Sequence, residues 1–190
     1  IAFSIDYPHY KGIRIREIWD GEINNQNDGY FLKMNNRYSP IPSFLTMNLN
    51  SKLKLDSLKF SRIFNSNNGS LNLIRTNDDY QWQADNFPLD ELELSVRNND
   101  FGRISGTING SGLLSPKDSY YDGRLAFSLG KYGNIKLYNS LFDFTVNKGI
   151  YHLNSSLYPI DGGSIDVKYK SDKNDILKAS FVNISTNWTA

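Results

Sequence analysis

The clearest cluster of side chains that could perform acid–base chemistry lies in one short segment. Asp90, Glu91 and Glu93 stand close together in the sequence, and a pair of carboxylates can serve glycoside hydrolysis as acid and as base or nucleophile. Glu91 and Glu93, however, alternate with Leu92 and Leu94, as they would on a strand whose polar face is in water. This pattern favours a solvated strand face over a glycoside-active enzyme, which remains an alternative.

Other kinds of reactive site find little support in the sequence. The two histidines, His9 and His152, lie in no nucleophile or base motif, and the chain contains no cysteine. The glycine-rich segment that starts at Gly106 is not followed by a Lys-Ser/Thr pair, so it is not a phosphate loop. The Asp-containing turns lack the acidic twelfth ligand of a calcium loop. The sequence therefore predicts no catalytic residues, no cofactor and no metal site, and a protein that is not an enzyme.

Composition is typical of a globular protein with no nucleic-acid partner. The chain has 190 residues, of which 39% are hydrophobic and 22% charged, and a net charge of +1. Its apolar runs fall far short of the roughly 20 residues that a membrane-spanning helix needs. No basic region followed by an apolar core opens the sequence, so no signal peptide is predicted. We expect residues 1–190 to form a single β-rich segment of a longer protein.

Alternation of apolar and polar residues dominates the chain. From Leu45 to Leu55 the odd positions are mostly apolar and the even ones polar, which is typical of a strand with one face in water. Similar short runs recur at intervals of roughly 8–12 residues, and no long helical pattern appears. Asn68 and Gly69 are a strong hairpin signal, and one helical turn is predicted after Pro88. The predicted fold class is all-β, with a long antiparallel sheet.

Such a sheet has one continuous apolar face, which must be covered. Because the sequence supplies no helices, the sheet must fold on itself as a sandwich, a barrel or an open trough with an apolar interior. We expect that interior to be lined by Ile104, Ile108, Leu125, Phe127, Leu129, Ile135, Leu137, Phe142, Phe144, Val146, Ile165, Val167, Leu177 and Phe181. On the other side, we expect Arg124, Lys136, Asp166, Lys168 and Lys178 to face water.

The segment "ISGTINGSGLL" carries glycines in one strand phase at Gly106, Gly110 and Gly112. Glycine weakens a strand and usually marks a bulge, a bend or a close approach by another group. One interpretation is that these glycines face the apolar interior where the sheet bends most tightly or the interior is narrowest, so that side chains there would collide with the facing wall. The other is that they only shape the sheet, by permitting a bulge or a strong twist in a packed core.

Four segments share a further pattern: "YQWQADNFPLDELEL", "ISGTINGSGLLSP", "YYDGRLAFSLGKYGNI" and "LFDFTVNKGIYHLNSSLYPIDGGSIDVKY". They contain a Trp-x-Ala-Asp-x-x-Pro-Leu motif from Trp82 to Leu89, the glycine strand, and a restart after a turn at Gly162, Gly163, Ser164 and Ile165. In this order the segments resemble the TamB / AsmA-like envelope proteins, most of all their cyanobacterial and plastid members. The resemblance covers residues 80–185, and residues 1–60 show only compatible alternation.

The resemblance implies both a fold and a function. The fold would be a β-sheet curled into an open, taco-like trough with an apolar interior. The function would be that of a segment of an envelope-spanning bridge that shields phospholipid acyl chains and supports outer-membrane biogenesis and protein translocation. Its partners would be an Omp85-type outer-membrane barrel and an inner-membrane anchor, and its location the periplasm or the intermembrane space of a cyanobacterial or plastid envelope. The alternative is a closed β-sandwich that binds carbohydrate or a protein partner.

Overall fold

The computed structural model describes residues 1–10, 13–15, 17–65, 67–97, 100–132, 135–172 and 175–184, which form strands and no helix. The strands are β1 (Ala2–Asp6), β2 (His9–Tyr10), β3 (Ile13–Ile15), β4 (Ile18–Gln26), β5 (Gly29–Arg37), β6 (Ser43–Asn50), β7 (Leu55–Phe64), β8 (Asn67–Thr76), β9 (Asp79–Pro88), β10 (Leu92–Arg97), β11 (Asp100–Ser115), β12 (Tyr120–Tyr132), β13 (Ile135–Lys136), β14 (Ser140–Asn147), β15 (Ile150–Leu157), β16 (Ser164–Lys170) and β17 (Ile176–Val182). The predicted all-β fold is confirmed.

Most neighbours in the sheet are also close in sequence, and the pairings are antiparallel. β4 to β9 form a meander, which β11, β12, β14, β15, β16 and β17 continue from the other edge of β9. β1 pairs with β4 and β17 with β16, and no described residue pairs with their outer edges. The sheet is therefore open at its terminal strands, as predicted for a trough. The described ranges contain no second sheet, so the closed-sandwich alternative is wrong.

One pairing departs from the meander and folds the sheet at one end. β3 pairs with β10, which places Ile15 opposite Leu92 and Ile13 opposite Leu94, while β10 also pairs with β11. β4 follows β3 in the chain, and β10 follows β9 after the turn at Asp90 and Glu91, which gives two segments, β3–β4 and β9–β10. They meet at one end of the β4–β9 meander and are separated at the other by β5 to β8. We term the junction of β3 with β10 the seam.

The buried core lies next to the seam, inside the curled meander. Its centre is formed by Ala84, Phe87, Leu92 and Ile104. Phe60 on β7 packs edge-on against Phe87, with ring centroids 5.0 Å apart, and aromatic pairs of this kind add about 0.5–1.5 kcal/mol beyond the area that they bury. The seam is thus held by apolar packing as well as by backbone hydrogen bonds.

A buried ion pair lies at the same end of the sheet. Arg62 is fully buried and donates to Glu17 Oε1 at 3.3 Å, to Ser43 Oγ at 3.2 Å and to the Pro88 carbonyl oxygen at 3.0 Å. Ser39, in the β5–β6 connection, donates to the same Glu17 oxygen at 2.8 Å. Burial lowers the pKa of Arg62, and the negative charge of Glu17 opposes that shift. Arg62 therefore connects the start of β4, the start of β6 and the end of β9.

Three local predictions differ from the structure. The alternating run from Leu45 to Leu55 is not one strand, because β6 ends at Asn50 and β7 begins at Leu55. Asn68 and Gly69 lie within β8 rather than in a hairpin turn, and Gly69 is buried. A Cβ at Gly69 would come within 2.2 Å of the Asn86 carbonyl oxygen, so this glycine allows a close approach of the backbone of β9. After Pro88 the chain forms a turn at Asp90 and Glu91 and not the predicted single turn of helix. Glu91 has a φ of 65°.

We expect Arg62→Ala to destabilise the protein strongly, because it leaves the Glu17 carboxylate buried without its cationic partner. The free energy of unfolding, measured by urea denaturation, should fall by about 3–5 kcal/mol. The double variant Glu17→Gln with Arg62→Met removes both charges and should recover most of this loss. An equal loss in the single and double variants would contradict the attribution of the effect to an unpaired charge.

Candidate functional site: an apolar trough

Two rows of side chains cross the sheet on one face, because residues directly opposite each other in a ladder point to the same side. The first row consists of Phe3, Gly21, Met34, Leu45, Phe60, Leu71, Ala84, Gly110, Leu125, Phe142, Ser155, Val167 and Ala179. The second row consists of Ile23, Leu32, Met47, Leu58, Leu73, Trp82, Gly112, Gly123, Phe144, Leu153, Tyr169 and Leu177. No charged residue interrupts either row.

The reverse face carries a matching polar row. It consists of Glu22, Lys33, Thr46, Lys59, Asn72, Gln83, Ser111, Arg124, Asp143, Asn154, Lys168 and Lys178. The structure leaves the residues predicted to face water exposed, namely Arg124, Lys136, Asp166, Lys168 and Lys178. The sheet therefore carries apolar and charged rows on opposite faces across its width, while Arg62 and Arg75 lie on the apolar face outside the two rows.

The apolar rows are covered to different extents along the sheet. Near the seam, Met34 and Ala84 of the first row are buried. On β12 and β14, Leu125, Phe142 and Phe144 are only half-buried. The chain as a whole exposes 12426 Å², whereas a compact protein of its mass, 21.7 kDa, would expose about 9,200 Å². On β12 and β14 the two apolar rows thus line an open trough rather than a packed core.

Glycines in the second row make room for an aromatic ring. A Cβ at Gly112 would lie 2.1 Å from the Asp122 carbonyl oxygen and 2.5 Å from Trp82 Nε1, and one at Gly123 would lie 2.3 Å from Trp82 Cζ2. The indole stacks on Phe144 with ring centroids 6.4 Å apart and an interplanar angle of 12°. Its Nε1 donates to the Asp122 carbonyl oxygen at 3.2 Å. Trp82 therefore fills the space that Gly112 and Gly123 leave, and the two rings form an aromatic surface in the trough.

The other two glycines shape the backbone. Gly106 has a φ of 107° and lies where the register between β11 and β12 shifts. A Cβ at Gly110 would come within 2.3 Å of the Arg124 carbonyl oxygen. Leu129 lies on β12 at the same shift, with a φ of 49°, and is 68% exposed. Leu129 is therefore not part of the trough lining as predicted, because the bulge interrupts the alternation of faces.

The structure brings most of the other predicted lining residues to the trough face. Leu125, Phe142, Val167, Phe144 and Leu177 belong to the two rows, and Ile108, Phe127, Val146, Ile165 and Phe181 share their face in adjacent positions. Ile104 lies in the core at the seam, and Leu137 is buried at an isolated bridge to Pro159. The side chain of Ile135 lies outside the described residues.

The first half of the chain contributes residues to the trough that the sequence prediction did not assign to it. They include Leu45, Met47, Phe60, Leu73 and Trp82, which occupy the two rows beside the predicted residues. Their alternation with polar residues is visible in the sequence, and it predicts which face they occupy. Alternation does not predict that their face is continuous with the apolar face of β11 to β17, because that continuity depends on the pairing of β9 with β11.

The carboxylates near Asp90 do not form a shared acidic face. Glu93 is 4% exposed and accepts a hydrogen bond from Arg14 Nε at 2.6 Å across the seam. The interpretation of a solvated strand face is wrong for Glu93, because β3 covers this part of β10. Asp90 and Glu91 lie in the turn before β10. The side chain of His9 is outside the described residues, and His152 is exposed on β15.

Comparison with protein families, curated proteins and solved structures yielded no match for this chain. In the described part of the chain, no helix is long and apolar enough to cross a bilayer. The same ranges contain no group of three or more histidine, aspartate or glutamate side chains placed to hold a metal ion. The interpretation of the site therefore depends on the geometry of the trough itself.

We expect Gly123→Ala to lower the free energy of unfolding by about 1–3 kcal/mol, because the added Cβ would collide with the Trp82 ring. In a protein that already carries Trp82→Leu, Gly123→Ala should lower the free energy of unfolding much less. Gly110→Ala is the control, since its Cβ would meet the backbone of β12, and Trp82→Leu should leave its cost unchanged. Urea denaturation of each glycine variant, with and without Trp82→Leu, measures the coupling of Trp82 to Gly123 and to Gly110. Equal relief at the two glycines would show that Trp82 is not what fills the space.

Proposed function

We propose that this chain is a non-enzymatic segment of an envelope-spanning lipid-transfer bridge, in which the trough shields phospholipid acyl chains. The observation that carries the proposal is the pair of rows without a charged residue, whose members on β12 and β14 are half-buried and whose neighbouring charged row lies on the reverse face. An acyl chain needs apolar contact along its length and no reactive group. The two rows offer contact of this kind.

The energetics of lipid transfer favour such a surface. Exposure of an acyl chain to water costs about 0.8 kcal/mol per methylene, so roughly tens of kcal/mol oppose the passage of a two-chain phospholipid through water. At about 4.8 Å per strand, the first row follows a path of roughly 60 Å around the curved sheet. A lipid could travel along this path without exposing its chains, and no catalytic step is needed.

The open side of the trough suits an amphipathic ligand better than a closed cavity would. Moving a phosphate charge from water into a protein interior costs several kcal/mol unless it is fully paired. Because the trough is open, a headgroup can stay in water while the acyl chains contact Leu125, Phe142 and Phe144. This division between wet and apolar regions matches the chemistry of a phospholipid.

The cellular setting in this proposal comes from the resemblance to TamB / AsmA-like proteins. It places the segment in the periplasm or the intermembrane space of a cyanobacterial or plastid envelope. There it would support outer-membrane biogenesis between an inner-membrane anchor and an Omp85-type barrel. The trough geometry supports the lipid-shielding part of the proposal, independently of this setting.

Substitutions on two adjacent residues of β16 test the proposal. Val167 lies in the first row and Lys168 on the reverse face, so Val167→Glu puts a charge in the trough and Lys168→Glu does not. After incubation with phosphatidylethanolamine–phosphatidylglycerol vesicles, native mass spectrometry should show bound phospholipid on the wild type and on Lys168→Glu. Val167→Glu should lose most of it, because an acyl chain beside a carboxylate would have to desolvate that charge.

Photo-crosslinking provides the second measurement. A benzophenone side chain at Phe144 or Phe127 should capture phospholipid, whereas the same probe at Lys168 should not. Far-UV circular dichroism verifies that each variant keeps its sheet. A wild type free of lipid, or equal capture from both faces of the sheet, would rule out the trough as the lipid-binding surface.

A further inference from the structure

A small pocket lies beside the buried ion pair, outside the trough. It has a volume of about 180 Å³, and the residues that line it include Tyr7, Glu17, Tyr38 and Glu91. Tyr7 follows β1, Glu17 precedes β4, Tyr38 follows β5 and Glu91 precedes β10. Four separate connections of the chain therefore meet at this pocket, which we term the carboxylate pocket. None of its lining residues belongs to the two apolar rows.

One carboxylate of the carboxylate pocket is buried and has an unused oxygen. Glu17 Oε1 accepts hydrogen bonds from Ser39 and Arg62, whereas Glu17 Oε2 is buried and has no hydrogen-bond partner among the described residues. The Glu17 side chain is only 3% exposed. A buried acceptor without a donor costs about 1–3 kcal/mol, and more when it is charged. A ligand that donates to Glu17 Oε2 would remove this cost.

A second carboxylate in the pocket is not neutralised either. Glu91 is half-buried, and no described residue forms a hydrogen bond or an ion pair with its carboxylate. Burial lowers the pKa of Arg62, and the negative charges of Glu17, Asp90 and Glu91 all oppose that shift. Three carboxylates therefore act on one buried guanidinium, which leaves an excess of negative charge at this end of the sheet.

The other groups that line the pocket suit a cationic ligand. Arg37 is one of them, but its guanidinium donates to both carboxylate oxygens of Asp20, from Nε at 2.7 Å and from Nη2. Its charge is thus balanced by Asp20. Tyr7 and Tyr38 are 54% and 92% exposed, and the face of an aromatic ring attracts a cation within about 6 Å of its centre. Both rings are accessible to a ligand.

We propose that the carboxylate pocket binds the ammonium group of a small organic amine. An ammonium has three N–H donors, which can form charge-assisted hydrogen bonds to Glu17 Oε2 and to the Glu91 carboxylate. A metal ion fits less well, because only two carboxylates line the pocket and the described residues contain no larger group of ligands placed to hold one. The inference does not depend on the proposed function, since it uses no residue of the trough.

Titration with ethanolamine, followed by nitrogen-15 NMR spectra, tests the site. At neutral pH the amine is protonated, and it should shift the backbone amide signals of Tyr7, Tyr38, Ser39 and Glu91 until the site is saturated. Ethylene glycol has a hydroxyl group in place of the ammonium and should not shift them. Sodium chloride at the same ionic strength controls for screening. No saturable shift with ethanolamine, or equal shifts with ethylene glycol, would overturn the inference.

Glu91→Gln measures the contribution of one carboxylate. It removes a charge without breaking a hydrogen bond of the described structure, and the dissociation constant of ethanolamine should rise about tenfold. Glu22→Gln is the matched control, because it removes the same charge at an exposed position of β4 outside the pocket, and it should leave the constant unchanged. Urea denaturation verifies that both variants fold as the wild type does. Equal affinity of Glu91→Gln and the wild type would contradict the proposal.

Two further ligands distinguish the source of the ammonium group and the class of cation. Glycerophosphoethanolamine is a phospholipid headgroup without acyl chains. If it binds at least as tightly as ethanolamine, the pocket binds a phospholipid headgroup; if it binds more weakly, because its phosphate meets the carboxylates, the pocket binds a free amine. Both results support an ammonium site. Displacement of ethanolamine by equimolar magnesium chloride would instead show a metal site and overturn the inference.

Discussion

The pairing of β3 with β10 is the constraint on which the shape of the molecule depends. The other ladders join strands that lie close together in the chain, and such ladders alone would form a meander free to curl to different extents. The seam joins Arg14 to Glu93, which are 79 positions apart. Closing a loop of this length costs entropy, although the cost grows slowly with length. The buried core and the ion pair between Arg62 and Glu17 offset it.

The seam also explains why one apolar face has two environments. Where the meander returns on itself, Phe60 and Phe87 meet edge-on and the face becomes a core. On β12 and β14, farther along the sheet, Leu125 and Phe142 stay half-buried. The alternation of side chains is the same in both regions, and only the curvature differs. The closed end thus stabilises the fold, and the open part leaves apolar side chains accessible.

Sequence periodicity predicted the strands and most of the trough face, because which side a strand residue faces is a local property. Val167 and Lys168 show this, since each lies on the face that alternation assigned to it. Residues whose environment depends on a distant partner were not predictable in this way. Glu93 is buried by β3, and Gly69 is required by the backbone of β9. Leu129 has the right residue type and spacing, but the bulge at Gly106 interrupts the alternation there and Leu129 is exposed.

The open trough has a thermodynamic consequence for the strands that line it. Half-buried rows gain less from the hydrophobic effect on folding than a core does, so β14 to β17 depend more on their ladders and cross-strand pairs. A ligand that covers these rows binds the folded sheet and not the unfolded chain, and therefore stabilises the fold by mass action. Strands with the least cover of their own, β17 above all, gain most from occupancy. No charged side chain divides the rows into separate sites, so under the proposed function acyl chains of different lengths would fit the same surface.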